Sequence, residues 1–167
     1  MGMYAEYRAY SDEQLEHLKK LNIDDLFDAF EDEDDSVPVT DVDKMWDALH
    51  FILTGKGAGE PVEDDLLSIA IVGDQELVDD DELFNTYIAA GMLPKVVAAM
   101  EAVDFSAKLA ETPFSLLENN DIYPSIWEED NDELEEIAEE LTEHFESLLD
   151  FYRECVANKH NVVVTIC

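Results

Sequence analysis

The chain is expected to adopt an α+β fold: a small sheet including the N- and C-terminal strands, packed with several helices, one of them long and C-terminal. Three observations carry this expectation. Residues 3–10, MYAEYRAY, set Tyr4, Glu6, Arg8 and Tyr10 against Met3, Ala5, Tyr7 and Ala9, a period of two with tyrosines on both sides. Residues 161–166, NVVVTI, are β-branched and close the chain as a second strand. Since a lone strand leaves its backbone groups unpaired, the two ends are expected to pair. Between them, apolar residues recur at helical spacing, most persistently from Asp132 to about Ala157. That stretch makes a helix of about 39 Å at ~1.5 Å per residue. No internal repeat and no linker divides the chain, so residues 1–167 are expected to be a single domain.

The elements follow in order. Ser11 with Gln14 three residues on forms a capping box, and Leu15, Leu18 and Leu21 continue a short helix. Ile23, Leu26, Phe27 and Phe30 extend the helical spacing. Residues 31–41, EDEDDSVPVTD, break it with five consecutive acids and Pro38, and are expected to be a mobile acidic loop. An EF-hand beginning at Asp32 fails there, because its sixth position is Val37 where glycine is required, and its twelfth is Asp43 where glutamate is required. Thr40 with Asp43 resembles a helix cap. Val42, Met45, Trp46, Leu49, Ile52 and Leu53 then form one buried face.

The glycines and proline of TGKGAGEP (54–61) end that helix. The stretch is no phosphate loop: a helix precedes it where a strand should, and Gly57 follows Lys56 where Ser or Thr should. The apolar run Leu66–Val72 is too short to separate strand from helix. DDDELFNTYIAAGML (79–93) is acidic and then amphipathic, with Gly91 as its stop. A helix is expected from near Pro94, with Val96, Val97, Met100 and Val103 inward and Asp104 separating it from a second short helix. DIYPSIW (121–127) is a rigid aromatic connector in which Pro124 biases Tyr123 toward extended backbone. Along the long helix the inward positions are Leu134, Ile137, Leu141, Phe145, Leu148, Tyr152 and Cys155.

Charge sets the chain apart. Forty-three Asp and Glu against nine Lys and Arg give a net charge of −34, on an ordinary apolar fraction of 47%. Such a chain is repelled by phosphate backbones and anionic membranes, so neither direct nucleic-acid binding nor membrane association is expected. Four meanings remain: a solvated acidic coat, a basic protein partner, a high-salt cytoplasm, or mimicry of nucleic acid. No run reaches the ~18 apolar residues of a membrane span, and the first residues lack the pattern of a signal peptide. Two cysteines, Cys155 and Cys167, are too few for a disulfide framework and fit a reducing compartment. The expected location is cytoplasmic.

Several segments together resemble the bacterial YfbM-like family: MGMYAEY at the start, KMWDALHFILTG (44–55), LLSIAIVG (66–73), DIYPSIW (121–127), HFESLLDFYREC (144–155) and the terminal VVVTI. The first helix motif is the most specific, matching W-x-x-L-H-F-x-L-T-G from Trp46 to Gly55. One departure is Leu66, where the family pattern has proline before Leu-Ser. The resemblance implies a small cytoplasmic α+β domain. It implies no catalytic residue, cofactor or substrate, because the family has no established function.

The chemical candidates are few. His50 lies three residues after Asp47, close enough for a carboxylate to orient an imidazole. With His144 on the long helix it can be imagined at a divalent metal site, although no HExxH-type spacing supports this, and no metal or cofactor is expected. Ser68 lacks a G-x-S-x-G elbow. Trp46, Tyr123 and Trp127 are candidates to line a binding pocket. The leading expectation is a non-enzymatic acidic module for a basic protein partner, of inhibitor or immunity type. The alternative is a small enzyme or metal-dependent hydrolase using His50 with a nearby acid or His144.

Overall fold

The structure is a computed structural model and describes residues 2–32 and 36–167. Five antiparallel strands form one sheet: β1 (Ala5–Tyr10), β2 (Val39–Asp41), β3 (Gln75–Glu76), β4 (Phe84–Ile88) and β5 (Asn161–Ile166), in the order β2-β1-β5-β4-β3. The two chain ends do pair, from Ala5 opposite Ile166 to Tyr10 opposite Asn161.

Eight helices surround the sheet among the described residues. They are α1 (Asp12–Leu18), α2 (Ile23–Glu31), α3 (Trp46–Thr54), α4 (Leu66–Val72), α5 (Leu93–Glu101), α6 (Phe105–Ala110), α7 (Phe114–Asn119) and α8 (Leu134–Asn158). Ser11 and Gln14 make the reciprocal capping box of α1, and Asp104 caps α6 as the break between the two helices.

Every residue of β5 is buried, because both faces of the sheet are covered. Val162, Val164 and Ile166 face the large core with α3, α4, α5 and α8, while Val163 joins a second core with Leu15, Leu18 and Leu26 beneath α1 and α2. This explains why the C-terminal strand is continuously apolar instead of alternating. On β1, Ala5, Tyr7 and Ala9 enter the large core. Arg8 faces the other way, paired with Glu6 and lying 4.5 Å over the Phe30 ring of α2.

The chain departs from expectation in three places. Residues 39–41 form β2, pairing Asp41 with Glu6, so Thr40 belongs to a strand and caps nothing. Asp43 turns the chain at φ 51, and α3 begins only at Trp46 without a side-chain cap. The segment after the acids 79–82 is strand β4, because a neighbour for β5 stabilises it more than local amphipathicity does. The short apolar run proves to be helix α4, whose N-terminus Asp65 caps by accepting from Leu67 N–H. Leu66 is the first helical residue there, a position where proline and leucine both fit. Of the acidic break at 31–41, residues 33–35 lie outside the described residues.

α4 explains how the large core is held. Its last carbonyls point into the interior, where helix ends must find donors. Tyr152 Oη donates to Ala70 O at 2.6 Å, Tyr7 Oη to Ile71 O at 2.7 Å, and Thr86 Oγ1 to Val72 O at 2.7 Å. Burial raises the pKa of both tyrosines far above the ordinary range, so both remain donors. Gly73 follows at φ 81, and a Cβ there would stand 2.0 Å from Thr86 Oγ1.

Candidate functional site

Helix α3 is apolar on nearly every side, and Ala48 through Leu53 are all buried. His50, expected at the edge of one apolar face, is therefore fully enclosed. Its Nδ1 lies 2.6 Å from Lys56 O and its Nε2 lies 2.7 Å from Ser68 Oγ. A carbonyl can only accept, so Nδ1 carries the proton and Nε2 accepts from the Ser68 hydroxyl. Ser68 Oγ in turn accepts from Val62 N–H at 3.0 Å.

Both ring nitrogens and the hydroxyl are thus used in tying the loop 55–65 to α3 and α4. Burial lowers the His50 pKa, against an opposing pull from its bond to the Lys56 carbonyl and from the charges of Asp47 and Asp65. A serine donating to an imidazole is the arrangement of an activated nucleophile. Here both residues are buried, Ser68 at 1% exposure and His50 at 0%, with no space for substrate between them.

Asp47 makes no hydrogen bond to His50. Its Oδ1 accepts from Ala58 N–H at 2.7 Å and its Oδ2 from Tyr123 N–H at 2.8 Å. One carboxylate at the start of α3 therefore holds two loops, 55–65 and 120–127, which are remote in sequence. Gly57 is packed into this junction, where a Cβ would stand 3.2 Å from Asp47 Oδ1.

Trp46 stacks on Tyr123 with ring centroids 5.2 Å apart and planes 23° from parallel. Trp46 Nε1 donates to Met3 O at 2.9 Å, and Met3 N–H donates to Tyr123 Oη at 2.7 Å. The ring pair pins the segment entering β1 and separates two clefts. On the Trp46 side lies an apolar cleft of about 420 Å³, walled by Met3, Trp46, Pro61, Phe84 and Ile166, with Asp47 at its edge. On the Tyr123 side lies a more open one of about 580 Å³ that includes Tyr4, Asp43, Lys44 and Pro124. Asp43 Oδ1 is buried and without a hydrogen-bond partner, the single such side-chain atom among the described residues.

The remaining candidates lie elsewhere. Trp127 is buried at 1% exposure, donates to Ile122 O at 2.7 Å and packs against Phe114, so its ring belongs to the core. His144 sits on α8 with Nε2 3.3 Å from Glu140 Oε1. α3 packs chiefly on α4 and α8 chiefly on α5. Among the described residues no three His, Cys, Asp or Glu side chains converge to hold a metal ion. Cys155 is buried, which pushes its thiol up to about 12, while Cys167 is exposed. No described helix is long and apolar enough to cross a membrane.

The sequence pointed to Trp46 and Tyr123 as pocket residues, but not to their stacking, nor to Asp47 as a clamp on two loops. It missed Met3, Pro61 and Phe84 because nothing local to them signals that β4, the 55–65 loop and the chain start converge.

Comparison with known proteins agrees with this architecture. The model of the domain of unknown function DUF1877 matches residues 1–165. Protein YfbM of Escherichia coli (strain K12) is 26% identical over 167 residues, covering 99% of each chain. The crystal structure of YfbM from Escherichia coli, described as a protein of unknown function, superposes with a TM-score of 0.82 at 22% identity. It covers 98% of this chain and 99% of that one. The family model spans almost the whole chain and the fold recurs in a solved structure, so this chain belongs to the DUF1877 family of unknown function.

Proposed function

We propose that this chain is a non-enzymatic binding module whose acidic faces engage a basic protein partner, as an inhibitor or immunity protein would. The observation that supports this is the outer face of α8. Glu135, Glu136, Glu139, Glu143, Glu146, Asp150 and Glu154 are all exposed along it, and the helix carries one Arg and no Lys. Several stand four residues apart, as Glu135, Glu139 and Glu143 do. Like charges at that spacing cost isolated helices about 0.2–0.5 kcal/mol per pair. Of these acids, Asp150 is relieved by Arg153 at 3.0 Å.

A face that opposes its own helix gains most from a complementary cationic surface, which speeds encounter and makes binding salt-sensitive. The enzyme reading has less support, because both nitrogens of His50 are taken by protein groups and the residue is fully buried. The test is affinity capture from native lysate at about 0.1 M and about 1 M salt. Alongside runs a variant in which Glu135, Glu139, Glu143 and Glu146 become Gln. The expected result is a basic protein retained at low salt by the wild type, and released by high salt or by the Gln variant. Equal recovery by both chains at both salts would overturn the reading.

A further inference from the structure

We infer that the apolar cleft beside Trp46 is an anchor pocket for a single large apolar side chain presented within a basic segment of the protein partner. This rests on the binding-module reading and adds to it the place and the chemistry of contact. The first support is apolar exposure. Met3 is 44% exposed and Phe84 38%, two of the six exposed large apolar side chains among the described residues, and both wall this cleft. Its volume of about 420 Å³ falls within the ordinary range of ligand pockets, about 300–1,000 Å³.

The second support is rigidity. Trp46 is stacked on Tyr123 on one side and bonded to Met3 O through its indole N–H, so little ordering remains to oppose binding. Fixed aromatic walls of this kind are where interface energy concentrates.

The third support is charge, which selects the partner. In sequence, exposed acids flank two of the lining residues: Glu60, Glu63 and Asp64 around Pro61, and Asp81 and Glu82 before Phe84. Across the ring pair, Asp43 Oδ1 is a buried acceptor with no donor. That adjoining cleft also holds Lys44, whose ammonium lies 5.4 Å over the Tyr4 ring. An apolar pocket whose wall segments carry exposed carboxylates fits an apolar side chain with Lys or Arg on either side. The same surroundings disfavour a second copy of this chain, which carries −34 itself.

The probes are two short peptides of Lys and Arg, one with a central Phe and one with a central Ala. Binding is followed at low salt in nitrogen-labelled protein through the indole N–H signals of Trp46 and Trp127. The buried Trp127 serves as the internal control. The Phe peptide is expected to shift the Trp46 signal, leave Trp127 in place, and bind about tenfold or more tighter than the Ala peptide.

Two variants make the outcome specific. Phe84→Glu adds a negative charge, so attraction by charge alone predicts tighter binding, whereas an anchor pocket predicts weaker binding of the Phe peptide. Gly59→Phe adds a ring at the cleft wall, where a Cβ meets nothing within 4 Å, and is expected to erase the difference between the peptides. Retained signal dispersion in both variants shows that they remain folded. If both peptides bind equally and shift only α8 signals, the anchor is overturned while the acidic reading stands. If neither binds, both fall. If the Trp46 signal moves on concentrating the protein alone, a second copy fills the cleft and the proposal is overturned.

Discussion

Ser68 links three elements through one hydroxyl, accepting from Val62 N–H and donating to His50 Nε2. Ser68→Ala strands both partners in the interior, and each buried unsatisfied group costs about 1–3 kcal/mol. A loss of roughly 2–4 kcal/mol by urea denaturation is expected. An unchanged midpoint would mean that the loop 55–65 is held without it.

His50 adds a pH dependence whose sign follows from burial. Its folded pKa is lowered, so as pH falls the unfolded chain takes up the proton first. Its contribution is complete above the ordinary histidine value of about 6.5 and is lost as pH drops below that toward the lowered value. The wild-type urea midpoint should therefore fall between about pH 7.5 and about pH 5.5, with a His50→Gln chain showing a smaller decline. Equal slopes in the two chains would remove His50 as the source. His50 and Asp47 were visible in the sequence as neighbours one turn apart. That spacing permits a carboxylate–imidazole pair but does not fix where either side chain points. Two backbone amides and a carbonyl offered better partners.

Among the elements, α4 and α8 show opposite limits of local reasoning. α8 was legible because its apolar stripe runs unbroken over about five turns; Ile137, Leu141, Phe145, Leu148, Tyr152 and Cys155 all prove buried. α4 was not, since a seven-residue apolar segment, buried from Ser68 to Val72, carries no period to read. Its C-terminus depends on Gly73, at φ 81 and pressed against Thr86. Gly73→Ala forces a strained backbone against a packed side chain and should cost roughly 2–5 kcal/mol, measurable as a lowered melting temperature. A loss below 0.5 kcal/mol, roughly the noise of such measurements, would show that β4 yields easily there. β4 itself was hidden in an amphipathic stretch, because strand identity there comes from pairing with β5.

For the molecule as a whole, charge dominates stability as well as recognition. Screening weakens repulsion among the acids, so the melting temperature should rise between about 0.05 M and about 1 M sodium chloride. The chain with Glu135, Glu139, Glu143 and Glu146 replaced by Gln should start higher and gain less from salt. A difference of 1 kcal/mol corresponds to roughly 2–4 °C at this size. A flat response in both chains would show that the acids are too dispersed to repel appreciably.

Composition and periodicity were enough to settle the charge, the α+β class, the paired chain ends and the long helix, because each is a property of a continuous stretch. The convergence of Met3, Trp46, Pro61, Phe84 and Tyr123, the turning of Asp47 toward two distant amides, and the enclosure of His50 with Ser68 were decided only in three dimensions. Each joins segments tens of residues apart, and which polar group a side chain meets depends on what the packed core leaves unsatisfied beside it.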